Sequence, residues 1–149
     1  MLLKDFCTPD VVCCGPATTV QMAAVLMRQH HTGDLVVVDD IEQDKVPLGI
    51  LTDRDIVVEV LAKDLDPAIT TVRSILRTPV VIAHENEDVS EALERMRVHG
   101  VRRLPVVANS GKLAGIVTLD DILKLISTDI GTLVDIVTRE QGREHRSRR

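Results

Sequence analysis

The sequence predicts a mixed α+β (α/β) fold made of two β-α-β-β-α repeats related by a pseudo-two-fold axis. Three observations predict it. "VQMAAVLMRQHHTGDL" (residues 20–35) lies against "VSEALERMRVHGVRRL" (residues 89–104) at a constant offset of 69, matching Val20 to Val89, Ala23 to Ala92, Met27 to Met96 and His30 to His99. "GILTDRDIVVEVL" (49–61) then returns as "GIVTLDDILKLIS" (115–127) at an offset of 66. The first copy therefore carries three extra residues within "DDIEQDKVP" (39–47), which a surface turn absorbs at little cost. Finally, a half of about 60 residues buries too little core to stand alone, so the two are expected to pack together.

Each element has its own signal. "DVVCC" (10–14) and "PVVIA" (79–83) predict a first strand in each copy. Val20, Ala23, Ala24 and Met27, and again Val89, Ala92, Leu93 and Met96, fall at i, i+3, i+4 and i+7 of a helix. Thr19 and Asp88 precede them as N-caps. The runs "LVVV" (35–38) and "LGIL" (48–51), then "LPVV" (104–107) and "LAGIV" (113–117), read as strands, with "ANSGK" (108–112) as a turn-rich join. The repeated phrase opens the second helix of each copy. "AKDLDPAITTV" (62–72), with Pro67 and its acids, suits an exposed connector. The expected organisation is a first repeat over 7–64, a linker over 65–73, a second repeat over 74–127, and a C-terminal helix with a basic tail over 128–149.

Composition excludes several classes. With 44% hydrophobic and 28% charged residues among 149, usage is that of an ordinary globular chain, and no apolar run approaches the ~20 residues of a membrane span. "MLLKDFCTPD" has neither the apolar core nor the cleavage site of a secretory signal, so the expected location is cytoplasmic. Cys7, Cys13 and Cys14 are odd in number and crowded at one end, which suits neither a disulfide framework nor a zinc site. They read as reduced, partly buried thiols. His30, His31, His84, His99 and His145 have no ligand spacing, so no metal is expected. Phe6 is the sole aromatic residue and the net charge is −5, which together read against nucleic acid. There is no phosphate-binding G-x-x-x-x-G-K-[ST] loop and no G-x-S-x-G elbow, so no enzyme is expected.

Thr52-x-x-Asp55 and Thr118-x-x-Asp121 have the spacing of a capping box, which by itself is only a helix start. Yet Gly49 and Gly115 precede them on the strand, which is expected to leave backbone exposed where strand turns into helix. A helix N-terminus there offers N–H groups to a phosphate, and an aspartate in its first turn can accept from vicinal hydroxyls such as those of a ribose.

With its two ordered copies of G-h-x-T-x-x-D (h apolar), "VRRLPVV" (101–107) before the second and "ALERMRVHGV" (92–101) before that, the chain resembles the tandem CBS domain pair over residues 7–127. This regulatory module is named for cystathionine β-synthase, and here it has the look of a stand-alone protein. The resemblance implies that Thr52, Asp55, Thr118 and Asp121 contact the ribose and phosphates of an adenine nucleotide. It implies that Val11, Val12 and Cys13, and Val80, Val81 and Ile82, hold the adenine, and that Arg102 and Arg103 reach phosphate. The implied ligand is AMP, ADP, ATP or an NAD-like molecule; no cofactor is required, and a homodimer and a regulated protein partner are implied with it.

Two departures qualify these expectations. Cys7 and Leu76 stand where the family commonly has methionine. Gly33 and Asp34 stand where the second copy has Arg102 and Arg103, and an acid there disfavours phosphate, so the first copy is expected to take a less charged ligand or none. "DIVVEVL" (55–61) is apolar around most of its circumference, and Ile130, Leu133, Val134 and Val137 form another apolar stripe; both point to self-association. From Thr138 onward the chain is locally +3, which reads as a solvated end rather than a nucleic-acid arm. Two functions thus stand side by side: a non-catalytic sensor of an adenine nucleotide, and a ligand-free dimerisation or scaffold module whose capping boxes are only caps.

Overall fold

The computed structural model describes residues 1–147, so Arg148 and Arg149, which end the predicted basic tail, lie outside the described residues. The chain forms two compact units, one over Met1–Val117 and one from Thr118 onward.

The first unit opens with a 3-10 turn at Leu3–Asp5. Then come β1 (Cys13–Cys14), α1 (Val20–His30), β2 (Asp34–Val38), β3 (Pro47–Thr52) and α2 (Asp53–Ile56), which runs on as a π-helical turn over Val57–Leu61. α3 (Val72–Ile75), β4 (Ala83–His84), α4 (Val89–His99), β5 (Arg103–Val107) and β6 (Leu113–Thr118) follow. The second unit is α5 (Leu119–Ser147). Among the described residues there are two three-stranded sheets, ordered β1-β2-β3 and β4-β5-β6, so the mixed α+β class and its repetition stand as the sequence predicts. β1 runs parallel to β2, and β4 to β5, while β2 and β3 are antiparallel. The central strands are buried continuously over Leu35–Val38 and Leu104–Val107, because both of their faces are covered, whereas β3 alternates.

The helices begin where the caps predict. Thr19 accepts from the Met22 N–H at 3.2 Å. Asp88 accepts from Ser90, and Glu91 reaches back to complete a capping box. The core repeats with the sequence: Val20, Ala23, Met27 and Leu35 are buried, and so are Val89, Ala92, Met96 and Leu104.

Two local expectations are corrected. The first strands are only two residues each, so Val11 and Val12, and Val80, Val81 and Ile82, lie in chain that leads into them. The Val11 N–H turns to the Pro9 carbonyl at 3.0 Å and is thereby withdrawn from the ladder, although the Val12 carbonyl still accepts from Val36 at 3.1 Å. The segment expected as an exposed connector is exposed over 62–66 and 68–69, but its end is docked. Its Pro67 and Thr70 carbonyls accept from Gln21 (3.1 Å) and Val20 (2.9 Å), satisfying N–H groups at the start of α1. Val72 is 0% exposed, packed in one cluster with Cys14, Ala23, Met27, Leu35, Val37 and Leu51.

This docking has a counterpart 69 residues earlier. The Val72 N–H donates to Thr18 at 2.8 Å, and the Leu3 N–H donates to Glu87 at 2.9 Å, which are equivalent bonds under the repeat. Leu2 bridges to Asp88 as Thr71 bridges to Thr19. Each copy thus receives its opening segment from the other side: residues 2–8 dock on the second sheet and 70–73 on the first. The three-residue excess of the first copy also carries a contact, since the Lys45 carbonyl accepts from Leu113 at 3.0 Å and Asp44 pairs with Lys112 at 3.2 Å.

Candidate functional site

In the first copy the motif sits where β3 turns into α2. Thr52 Oγ1 accepts from the Asp55 N–H at 3.1 Å, and Asp55 Oδ2 accepts from the Thr52 N–H at 2.9 Å. That reciprocal capping box uses one carboxylate oxygen of Asp55 and leaves the other for a donor from outside. Both side chains are half-buried. In the second copy Thr118 Oγ1 again accepts from the Asp121 N–H at 3.1 Å, but its hydroxyl donates to Asp121 Oδ2 at 2.8 Å. Asp121 Oδ1 lies 3.8 Å from Lys124 Nζ.

The strand register brings Asp34 opposite Thr52. The Gly33 carbonyl accepts from the Asp53 N–H at 2.9 Å, and a Cβ on Gly33 would stand 3.0 Å from Asp53 Oδ2. A side chain at position 33 would crowd the Asp53 carboxylate, which lies over this strand end. Asp34 itself forms an ion pair with Arg103. These two residues are 69 apart, hence equivalent positions of the two repeats, and a contact between equivalent positions lies on the axis that relates them. The side chains are 23% and 31% exposed, so the pair is partly withdrawn from water.

The residues expected to hold adenine divide between two faces. Val11 and Cys13 pack with Ile50 and Leu113 against Val36, Val38 and Ile116, side chains drawn from both copies. Val12 points the other way, into the cluster of Met27 and Val72, because neighbouring residues of extended chain face opposite sides. In the second copy Val80, Val81 and Ile82 are half-buried. The Ile82 carbonyl accepts from Arg95 at 2.8 Å, while Arg95 is held bidentate by Glu87 at 2.7 and 3.0 Å.

Gly49 and Gly115 are not exposed backbone, as the spacing suggested, but buried contact points. A Cβ on Gly49 would stand 2.7 Å from Leu76, and one on Gly115 would stand 2.7 Å from both Cys7 Sγ and the Thr8 carbonyl oxygen. Cys7 and Leu76 are again equivalent residues, each seated on the glycine of the other copy. The structure therefore brings Thr52, Asp55, Asp34 and Arg103 to the strand ends of the first unit, sets Val11 and Cys13 on the face shared by the copies, and takes Val12 out of that set. Arg102 is exposed in the turn before β5. Asp53, its approach to Gly33 and the partnership of Asp34 with Arg103 were not anticipated. A signal for the last was present: opposite charges at the same repeat position are placed to meet on the axis.

Burial pushes the thiols of Cys7 and Cys13 up, and that of Cys14 from 9.0 to about 11. All three are therefore protonated near neutrality and poor nucleophiles. Among the described residues no three His, Cys, Asp or Glu side chains gather into a group that could hold a metal ion. No helix among them is long and apolar enough to cross a membrane.

Comparison with known proteins agrees with this arrangement. The CBS domain signature is matched twice, over residues 3–62 and 72–128. The chain is 37% identical over 132 residues to an uncharacterized protein of Methanopyrus kandleri, covering 89% of this chain and 66% of that one, just under two thirds of the relative's length. It is 38% identical over 121 residues to hypoxic response protein 1 of Mycobacterium tuberculosis, covering 81% of this chain and 82% of that protein. A crystal structure of that hypoxic response protein, with two coordinated zinc ions, superposes with a TM-score of 0.74 at 35% identity, over 83% of this chain and 98% of that one. The CBS domain pair of protein MJ0100, in complex with 5′-methylthioadenosine and S-adenosyl-L-methionine, gives a TM-score of 0.74 at 27% identity, over 87% and 98% of the two chains.

Proposed function

The chain belongs to the CBS domain family as a pair of repeats, and from that premise we propose that it is a non-catalytic sensor. In this reading it binds an adenosine-containing ligand, of the adenine-nucleotide class, in the cleft between the repeats and passes the change to a protein partner or through a homodimer. The observation that carries the reading is the half-buried Thr52–Asp55 pair at the end of β3, with a carboxylate oxygen left over for a ribose diol, beside the face that Val11 and Cys13 share with the second copy. The MJ0100 pair, crystallised with two adenosine derivatives, supports the ligand class. The raised thiol pKa values support the absence of nucleophilic chemistry.

Self-association is part of the proposal. Val57, Val58 and Leu61 on the helical segment after β3, and Ile130, Leu133, Val134 and Val137 on α5, are all exposed, more apolar surface than a small monomer usually leaves in water.

A second reading is favoured by the caps themselves, a reciprocal capping box in the first copy and a threonine cap in the second. Each motif already satisfies its own helix start, so a ligand-free scaffold would look the same at these residues. Thermal-shift titration with AMP, ADP, ATP, NAD and S-adenosylmethionine separates the two. A ligand at a hundred times its dissociation constant stabilises the native state by about 2.7 kcal/mol. For a chain of this size that is a rise of roughly 5–11 °C. The sensor reading expects such a rise, and expects Asp55→Ala or Asp121→Ala to remove much of it in addition to lowering the melting point of the unliganded protein. If both variants melt lower yet keep the whole ligand shift, the motifs are caps and the scaffold reading replaces the sensor.

A further inference from the structure

We propose that the first-copy site selects adenosine derivatives whose 5′ substituent carries no phosphate, and that the Asp34–Arg103 ion pair is the selecting element. This rests on the sensor reading above and specifies its ligand chemistry.

The strand end that would receive the 5′ side of a nucleoside held by Asp55 is lined by three carboxylates. Asp34 stands opposite Thr52, Asp53 closes over Gly33, and Asp55 is turned onto the Thr52 N–H. Arg103 reaches this place, and Asp34 holds its guanidinium. A phosphate arriving here meets repulsion from Asp34, Asp53 and Asp55, and gains Arg103 only by taking it from Asp34. Because both partners are partly withdrawn from water, the displaced carboxylate would lose its counter-charge with only part of its hydration regained, which makes breaking the pair costly. A neutral thioether at the 5′ carbon breaks nothing, and a sulfonium cation is attracted by the same carboxylates. Gly33, at the position where the second copy has Arg102, supplies no cation of its own.

Calorimetric titration of the full chain with 5′-methylthioadenosine and AMP tests this directly, since the two probes share adenine and ribose and differ at the 5′ group. The wild-type protein is expected to bind methylthioadenosine at least about tenfold more tightly than AMP, and Asp55→Ala to abolish the methylthioadenosine signal. Asp34→Asn keeps the side-chain size and releases Arg103. It is expected to tighten AMP on the order of tenfold while changing methylthioadenosine within about twofold, and adding Arg103→Gln should cancel the AMP gain. Asp34→Ser serves the same purpose if the asparagine variant does not melt cooperatively. Equal wild-type affinity for both probes, or no AMP gain in a folded Asp34 variant, overturns the selection while leaving the sensor reading intact. If neither probe binds wild type or variant, the ligand reading of the first copy itself fails.

Discussion

At Gly115 a single hydrogen in place of a methyl group lets the chain segment around Thr8 lie against β6. The Thr8 N–H and carbonyl both bond to Ile116 at 2.9 Å, and the missing Cβ would sit 2.7 Å from that same carbonyl oxygen. Gly49 is the equivalent residue, but what it faces is the side chain of Leu76, whose Cδ1 and Cγ stand 2.7 and 2.8 Å from the missing Cβ, whereas at Gly115 a fixed backbone carbonyl is in the way. Gly115→Ala should therefore destabilise the protein by about 1–3 kcal/mol, and Gly49→Ala by clearly less. Chemical denaturation of the two variants checks it, and equal losses would contradict the distinction. These glycines also mark a limit of what local sequence shows. Their place before each Thr-x-x-Asp was legible, and it suggested open backbone for a ligand. Their true neighbours come from the other copy, far away along the chain, where no local spacing records them. Val11 and Val12 illustrate the same limit: both are apolar residues beside a strand, and only the pairing with β2 decides which faces the second copy.

Among the elements, the starts of α1 and α4 were legible to the residue, because cap chemistry and a 3.6-residue apolar stripe both act over a few positions. The first strands were overestimated, since an apolar run does not reveal that only two of its residues find ladder partners on β2 or β5. α5 is the element whose length was not foreseen. It runs without a break from the second motif through the stripe at 130–137, and Leu123, Ile126, Ile130, Leu133 and Val137 recur at alternating steps of three and four with Leu133 62% exposed. That spacing suits the seam of a helix packed on another helix. We expect the protein to be a dimer or larger at micromolar concentration by light scattering. Replacing Ile130 and Leu133 together by Lys should shift it to smaller species with little change in helix content by circular dichroism. A wild-type monomer, or an unchanged oligomer in the double variant, would remove α5 from the interface.

For the molecule as a whole, the constant offset made the duplication plain, while the exchange of opening segments was hidden. A repeat read as a block over 7–64 leaves out Val72, which fills the first core, and a boundary at 74 leaves the second copy without Leu2 and Leu3. A fragment of residues 1–64 is accordingly expected to show no cooperative thermal transition. Adding a fragment of residues 65–149 should restore one, because each piece carries the segment that the other lacks. Independent melting of the 1–64 piece would show the exchange to be dispensable.

The ion pair on the axis has a further meaning for how such a molecule comes about. Had two identical single-repeat chains met about this axis, position 34 would face its own copy, carboxylate against carboxylate, or guanidinium against guanidinium where the residue is Arg103. Like charges would then oppose the very contact that completes the fold. A single chain that carries both copies can hold an acid at one of the two equivalent positions and a base at the other, and so turns a self-repelling position into an attraction.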